Sequence, residues 1–280
     1  MTVAPRASRP TASVPAEIAA AEHTPPEPSL AATLGRVTGI VALAVAIAWA
    51  WHGTGFEFGR LGGSLAPLAE FLGRMSPPDL SAFEVAMRST AETLQIAVLG
   101  TFLAVVLSIP PALLAAANLT PPWIHQPVRW VLALLRGIPL LLLALMFVAA
   151  LGLGPVPGVL ALAVHSIGML AKFYADAFES ARQGPIEALD SAGANWVQRV
   201  RYGVLTQVAP DLARDTLFRF ELNLRESLVL GLVGAGGIGF YIQLYIRSFQ
   251  YQRVATLTLV ILLIVVLVEQ GSVAIRRRLR

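Results

Sequence analysis

A chain of 280 residues that is 56% hydrophobic and only 14% charged, with a mean hydropathy of +0.67, has the composition of a membrane protein and not of a soluble enzyme. The absence of cysteine excludes disulfide frameworks, thiolate metal sites and cysteine nucleophiles, and four scattered histidines (His23, His52, His125 and His165) make no metal cluster. A net charge of +4 would suit a nucleic-acid partner in a soluble protein, but here the arginines fall in the connections between apolar runs, which reads as topology and lipid contact instead.

In chain order, residues 1–33 are rich in Pro, Ala, Thr, Ser and Glu and offer too little large apolar surface to offset the entropy of ordering, so a disordered tail is expected. The first apolar run, 34–51, ends near an "AWA" (Ala48 to Ala50) that resembles a signal cleavage site. The tail before it is far longer than a charged n-region, and the run is long enough to span. Further runs at 91–117, 128–151, 156–178 and 254–275 suit tilted transmembrane helices. A sixth, 212–234, carries Asp215, Arg219, Glu221, Asn223, Arg225 and Glu226, so it cannot face lipid and belongs inside a bundle. The reading is an all-α polytopic membrane protein of about six transmembrane helices, with residues 34–280 as the membrane domain. With both termini inside, the outer connections hold only Arg60, Arg74, Arg88, Arg247 and Arg253, which fits the positive-inside rule.

Between the fourth and fifth spans lies "QGPIEALDSAGANWVQRVRYGVLTQVAP", residues 183–210. Pro185 suits a helix start, Glu187 favours the positive end of the helix dipole, and a short helix is expected over 186–194. Ala188, Ala192 and Gly193 would give it a surface of small side chains. Trp196, Val197, Val200 and Val204 then recur at helical spacing, which predicts an amphipathic piece at the membrane surface. From these residues alone, a plain connecting helix pair and a protein-docking element are equally open.

"EALDSAG" (Glu187 to Gly193) resembles the EAA signature of bacterial importer-type ABC permeases, in which Glu-Ala-Ala, three residues and Gly form a coupling helix. Val204 and Leu205 match the hydrophobic pair that closes the signature, and Thr206 stands where proline is usual. "RGIPLLLLALMFVAALGLGPVPGVLALAVHSIGMLAKFYADAFES" and "FRFELNLRESLVLGLVGAGGIG" are similar to the phosphonate-type permease subfamily, so the resemblance covers roughly residues 80–280. Leu140 replaces an acidic residue that often follows the "RSIP" of that subfamily.

The resemblance implies a type I ABC importer permease fold in a bacterial inner membrane. It implies a dimer, with a second copy of the permease, whose coupling segment (about 183–206) docks on two cytoplasmic ATPases through Glu187, Ala188, Gly193, Ala194 and Arg199. ATP and Mg would sit on that partner; the chain has no GxxxxGK[ST] loop of its own, and no cofactor of its own is expected. An extracytoplasmic binding protein would deliver phosphonate or a related oxyanion such as phosphite or phosphate. Another small solute is the near alternative, and a secondary carrier or a membrane-embedded enzyme is the distant one; no catalytic constellation is evident.

On the span at 212–234, Asp215 with Arg219 and Glu221 with Arg225 are spaced four apart and are expected to pair along the helix. An incompletely neutralised Arg225 or Arg136 would offer a fork of donors to an oxyanion on the path, with His165, Asn223 and Ser227 as further candidates. Lys172 is expected to snorkel, and Pro110, Pro111 and Pro139 to kink their spans. Finally, "GLVGAGGIGF" (Gly231 to Phe240) has a GxGxxG spacing, but it follows a membrane helix and lacks the strand and the later acidic residue of a dinucleotide site. Gly234, Gly236, Gly237 and Gly239 are instead expected to form a close-packed break or gate.

Overall fold

The computed structural model describes residues 30–278, and every regular element among them is helical. Most of the expected disordered tail lies outside the described residues; its last four residues already belong to α1 (Leu30–Thr54). The chain divides into two compact units, residues 1–66 and 67–280. The first contains α1, an apolar helix of 25 residues, long enough to cross a bilayer. Helix α2 (Phe58–Arg74), unforeseen in the sequence, runs across the boundary.

In the second unit, Asp79 caps a short 3₁₀ turn by accepting from the Ser81 amide at 2.9 Å, and α3 (Phe83–Ala115) follows. The span expected at 128–151 is two helices, α4 (Pro122–Gly137) and α5 (Leu140–Leu151), bent by 80° at the break. Pro139 explains it: proline has no N–H to continue the ladder, and it pushes Ile138 into an extended conformation (ψ 120°). Pro110 and Pro111, by contrast, lie within an unbroken α3. Then come α6 (Pro155–Glu179), α7 (Gln183–Ser191), a single turn α8 (Trp196–Gln198), a π-helical stretch at Arg199–Val204, α9 (Leu205–Gly231), α10 (Gly237–Arg247) and α11 (Tyr251–Arg278).

Four helical stretches among the described residues are long and apolar enough to cross a membrane, and the bent α4–α5 pair makes a fifth. Helix α9 is too polar to join them, yet it packs against α3, α6, α10 and α11 with Arg219, Glu221, Asn223 and Ser227 buried. That is the inward placement its charges demand. The most extensive packing is between α3 and α6, where small residues set the spacing: a Cβ on Gly100 would lie 2.9 Å from Cβ of Leu162. Lipid is as apolar as a leucine side chain, so close packing and internal hydrogen bonds hold such a bundle more than removal from water does. Where the far ends of α3, α4 and α6 meet, the Glu179 carboxylate pairs with Arg129 and accepts from the Ala117 amide at 2.6 Å.

Candidate functional site

Three regions carry the residues singled out by sequence. The first is the elbow from α7 to the start of α9. Helix α7 begins and ends three residues earlier than expected; its end is set by Gly193, whose φ of +78° is the left-handed conformation that closes a helix. The Ala194 amide reaches back to the Leu189 carbonyl at 3.0 Å. Glu187, Ala188 and Gly193 are exposed, and Ala194 and Arg199 are half-buried. Arg199 lies 3.4 Å from Asp190, and its Nε is buried without a hydrogen-bond partner among the described residues.

The expected single amphipathic piece over 196–204 does not form. Asn195 and Gln198 make a reciprocal capping box around α8, and the π-helical stretch then changes the register. Trp196 and Val197 are therefore exposed while Val200 and Val204 are buried. Gly203 lets α7 press onto this stretch, since a Cβ there would sit 3.0 Å from Leu189. Gln207 clamps the elbow, accepting from the Arg182 amide at 3.1 Å and donating to the Arg182 carbonyl at 3.3 Å. A lone glutamine in a connection gave no sequence signal for that role.

The second region is a polar seam between α3, α6 and α9. Arg219, 2% exposed, donates through Nε to Ser166 Oγ at 2.8 Å and pairs with Glu226 at 2.7 Å. Ser166 donates on to Asn223 Oδ1 at 3.0 Å, and Asn223 Nδ2 donates to Thr101 Oγ1 at 2.8 Å. The pairs expected along α9 are not the ones formed. Arg219 joins Glu226 instead of Asp215, Glu221 joins Arg276 of α11 at 2.7 Å, and Arg225 joins Glu269 of α11 at 3.0 Å. Asp215 lies 3.8 Å from Arg214. Glu221 and Arg225 take partners on α11, the helix their faces meet, while Arg219 and Asp215 find partners within α9 at spacings other than four.

Of the path candidates, Asn223 thus lies in the seam, and Ser227 is buried with its hydroxyl on the Leu224 carbonyl. His165 is half-buried, and its Nδ1 has no hydrogen-bond partner among the described residues. Arg225 and Arg136 are exposed, the latter at the end of α4. The structure does not bring the five together. Lys172 pairs with Asp176 at 2.9 Å.

The third region is the glycine turn between α9 and α10. Gly234, Gly236 and Gly237 have φ of +92°, +78° and +72°, which only glycine adopts readily. Gly239 is needed for contact: a Cβ there would lie 2.1 Å from the Leu228 carbonyl oxygen. The turn is held from outside by residues the motif did not include. Thr93 Oγ1 accepts from the Ile238 amide at 2.8 Å, and the Gly154 amide donates to the Gly234 carbonyl at 3.0 Å.

A helical bundle whose one charged helix is buried, with an exposed elbow at one end and a glycine turn at the other, has the architecture of a membrane permease subunit. Residues 104–280 match the family of binding-protein-dependent transport system inner membrane components, and the chain belongs to that family. It is 40% identical over 248 residues to the phosphite transport system permease protein PtxC of Stutzerimonas stutzeri, covering 88% of this chain and 90% of that one. It is 46% identical over 211 residues to the phosphate-import permease protein PhnE of Mycolicibacterium smegmatis, which spans 75% of this chain and 40% of the relative. Among solved structures, a chain of the MetNI methionine ABC transporter in an inward-facing conformation superposes with a TM-score of 0.63 at 21% identity, covering 72% of this chain and 99% of that one. The fold is the type I importer permease fold, and the chain is a transport subunit and not an enzyme.

Proposed function

We propose that this permease forms the path of an ATP-driven importer for phosphite, phosphate or phosphonate. The observation that carries the cargo is the identity to PtxC along nearly the whole of both chains. In this reading the permease works as a homodimer. The exposed Glu187, Ala188 and Gly193, with Ala194 and Arg199 behind them, dock on a cytoplasmic ATPase dimer that binds ATP and Mg. An extracytoplasmic binding protein delivers the anion, and both termini of the permease face the cytoplasm.

The geometry supports a division of labour. The elbow presents small and charged groups on a short helix clamped to α9 by Gln207, so a push on α7 is transmitted into α9. Helix α9 ends in the glycine turn, whose backbone is locked to α3 and to the start of α6. Movement of α9 therefore reaches Gly234, Gly236, Gly237 and Gly239, which act as the gate. Along the way Arg136, His165 and Arg225 offer donors to a passing anion, while Asn223 and Ser227 stabilise the wall behind it.

The test is reconstitution of the permease with its ATPase and binding protein in proteoliposomes, measuring uptake of phosphite, phosphate and methylphosphonate. Uptake of at least one, dependent on ATP and on the binding protein, is expected. Uptake of methionine or another neutral solute in place of all three would overturn the cargo. Intact ATPase association in both Gly193→Trp and Ala188→Trp would overturn the docking surface.

A further inference from the structure

Where the end of α3, α4 and the second half of α6 meet, the structure has a partly open cavity of about 170 Å³ that belongs to neither the seam nor the glycine turn. Its wall carries three cations, Arg129, Arg136 and Lys172, and one carboxylate, Asp176. Arg129 is matched by Glu179, and Lys172 by Asp176, with Nζ 2.9 and 3.0 Å from the two carboxylate oxygens. Arg136 has no ion pair or hydrogen bond among the described residues. Among the described residues, the cup is left with one positive charge that has no counter-ion.

Two features make this more than a surface arginine. A Cβ on Gly168 would lie 3.0 Å from Arg136 Cγ and 3.0 Å from its backbone nitrogen, so α6 presses on the stem of Arg136 and limits its swing. Leu132, Ala115 and Ala175 supply a buried apolar floor beneath the charged groups. The size is selective as well. The cavity is several times the roughly 30 Å³ that a water molecule occupies, and well below the ~300 Å³ at which pockets for drug-sized ligands begin.

We propose that this cup binds a phosphate-class tetrahedral oxyanion. Arg136 supplies the fork of donors, and Lys172 supplies a second cation that Asp176 holds in place until the anion arrives. With Glu179 and Asp176 present, the net charge is small and binding is weak, as a site that must release its ligand requires. The free anion is the expected ligand on the reading that this permease carries phosphate-class anions; a phospholipid headgroup offers the same chemistry.

The native chain has no cysteine, so Ala133→Cys, on the rim of the cup, gives a single reporter thiol. Its rate of modification by a charged thiol reagent is measured in the full permease with its ATPase, in maltoside detergent and in nanodiscs of phosphatidylcholine or phosphatidylglycerol. Inorganic phosphate in detergent is expected to slow labelling by about threefold or more, as a millimolar site near saturation does, with chloride at equal ionic strength without effect. Arg136→Gln should abolish that protection and Arg136→Lys should keep part of it. Protection by phosphatidylglycerol and not by phosphate would support the phosphate-class site with a lipid headgroup as its ligand. No protection by either, or protection unchanged in Arg136→Gln, would overturn it. Should that variant fail to assemble, Lys172→Gln is read the same way: weakened protection supports the cup and undiminished protection overturns it. The labelling needs no transport, so failure of the oxyanion cargo would show in uptake while the cup remained testable.

Discussion

Two polar clusters in this apolar chain, the seam around Arg219 and the elbow around Glu187, are built on opposite plans. In the seam the main polar groups meet partners inside the fold. Arg219 reaches Ser166 and Glu226, and Asn223 bridges Ser166 to Thr101, so three helices are joined by one hydrogen-bonded network. In the elbow Glu187, Ala188 and Gly193 face outward, and their surroundings are ordered by caps and by Gln207 without covering them. A polar group satisfied internally fixes the bundle. A polar group held in place but left open is free to meet a partner.

That contrast can be broken most severely at Arg219. Arg219→Met leaves Glu226 without its buried partner, and loss of one member of a buried pair costs about 3–5 kcal/mol. We expect a collapse in the yield and thermal stability of detergent-solubilised protein, and partial recovery when Glu226→Gln is added. An equal loss in the double variant would show that the pair is not what holds the seam.

Next in size is the glycine turn, where the same logic of enclosure applies to backbone. Gly239→Ala places a Cβ against the Leu228 carbonyl, and overpacking of that kind costs about 1–3 kcal/mol. Thermal stability should fall by that amount and uptake in proteoliposomes should fall with it, while association with the ATPase persists.

The elbow sharpens the comparison from the other side. Ala188→Trp adds bulk on an exposed face, so thermal stability should stay within about 0.5 kcal/mol of the parent, yet co-purification of the ATPase should be lost. If stability and association fell together, the elbow would be part of the internal framework like the seam.

The smallest effect is expected at Asp79, which is polar, ordered and only half-buried. Hydrogen bonds from Ser81, with help from Arg253 at 3.1 Å, hold its carboxyl below the usual carboxylate range. A lowered folded value means that its contribution is complete above the unfolded carboxylate pKa of about 4 and fades as pH falls through the lower folded value. Amide exchange at Ser81 should be modestly faster in Asp79→Asn at neutral pH, and parent and variant should converge in acid.

Much of the architecture was written locally. The apolar runs marked α1, α3, α6 and α11, because a segment that crosses lipid must be long, apolar and helical. The six charged or amide side chains from Asp215 to Glu226 marked α9 as an inner helix for the converse reason. The EAA-like residues from Glu187 to Gly193 marked the elbow, although the helix was expected to run to 194 and Gly193, at φ +78°, closes it at Ser191. The seam was legible only in part: Asn223 was singled out, but Thr101, Ser166 and Met169 look like ordinary residues of apolar spans, and the partners of Arg219, Glu221 and Arg225 were misassigned.

By itself the sequence determined the class of fold, the helices that must face inward, and the places where the backbone must be glycine, because each of these follows from the free energy of a residue in lipid or in a given backbone conformation. Only the tertiary structure decided which charges meet, how Pro139 bends one span into two helices by 80°, and that Arg136, Lys172 and Asp176 share a cavity. Those outcomes depend on which faces of separate helices are brought together, and helical spacing along one segment carries no information about the face of the next.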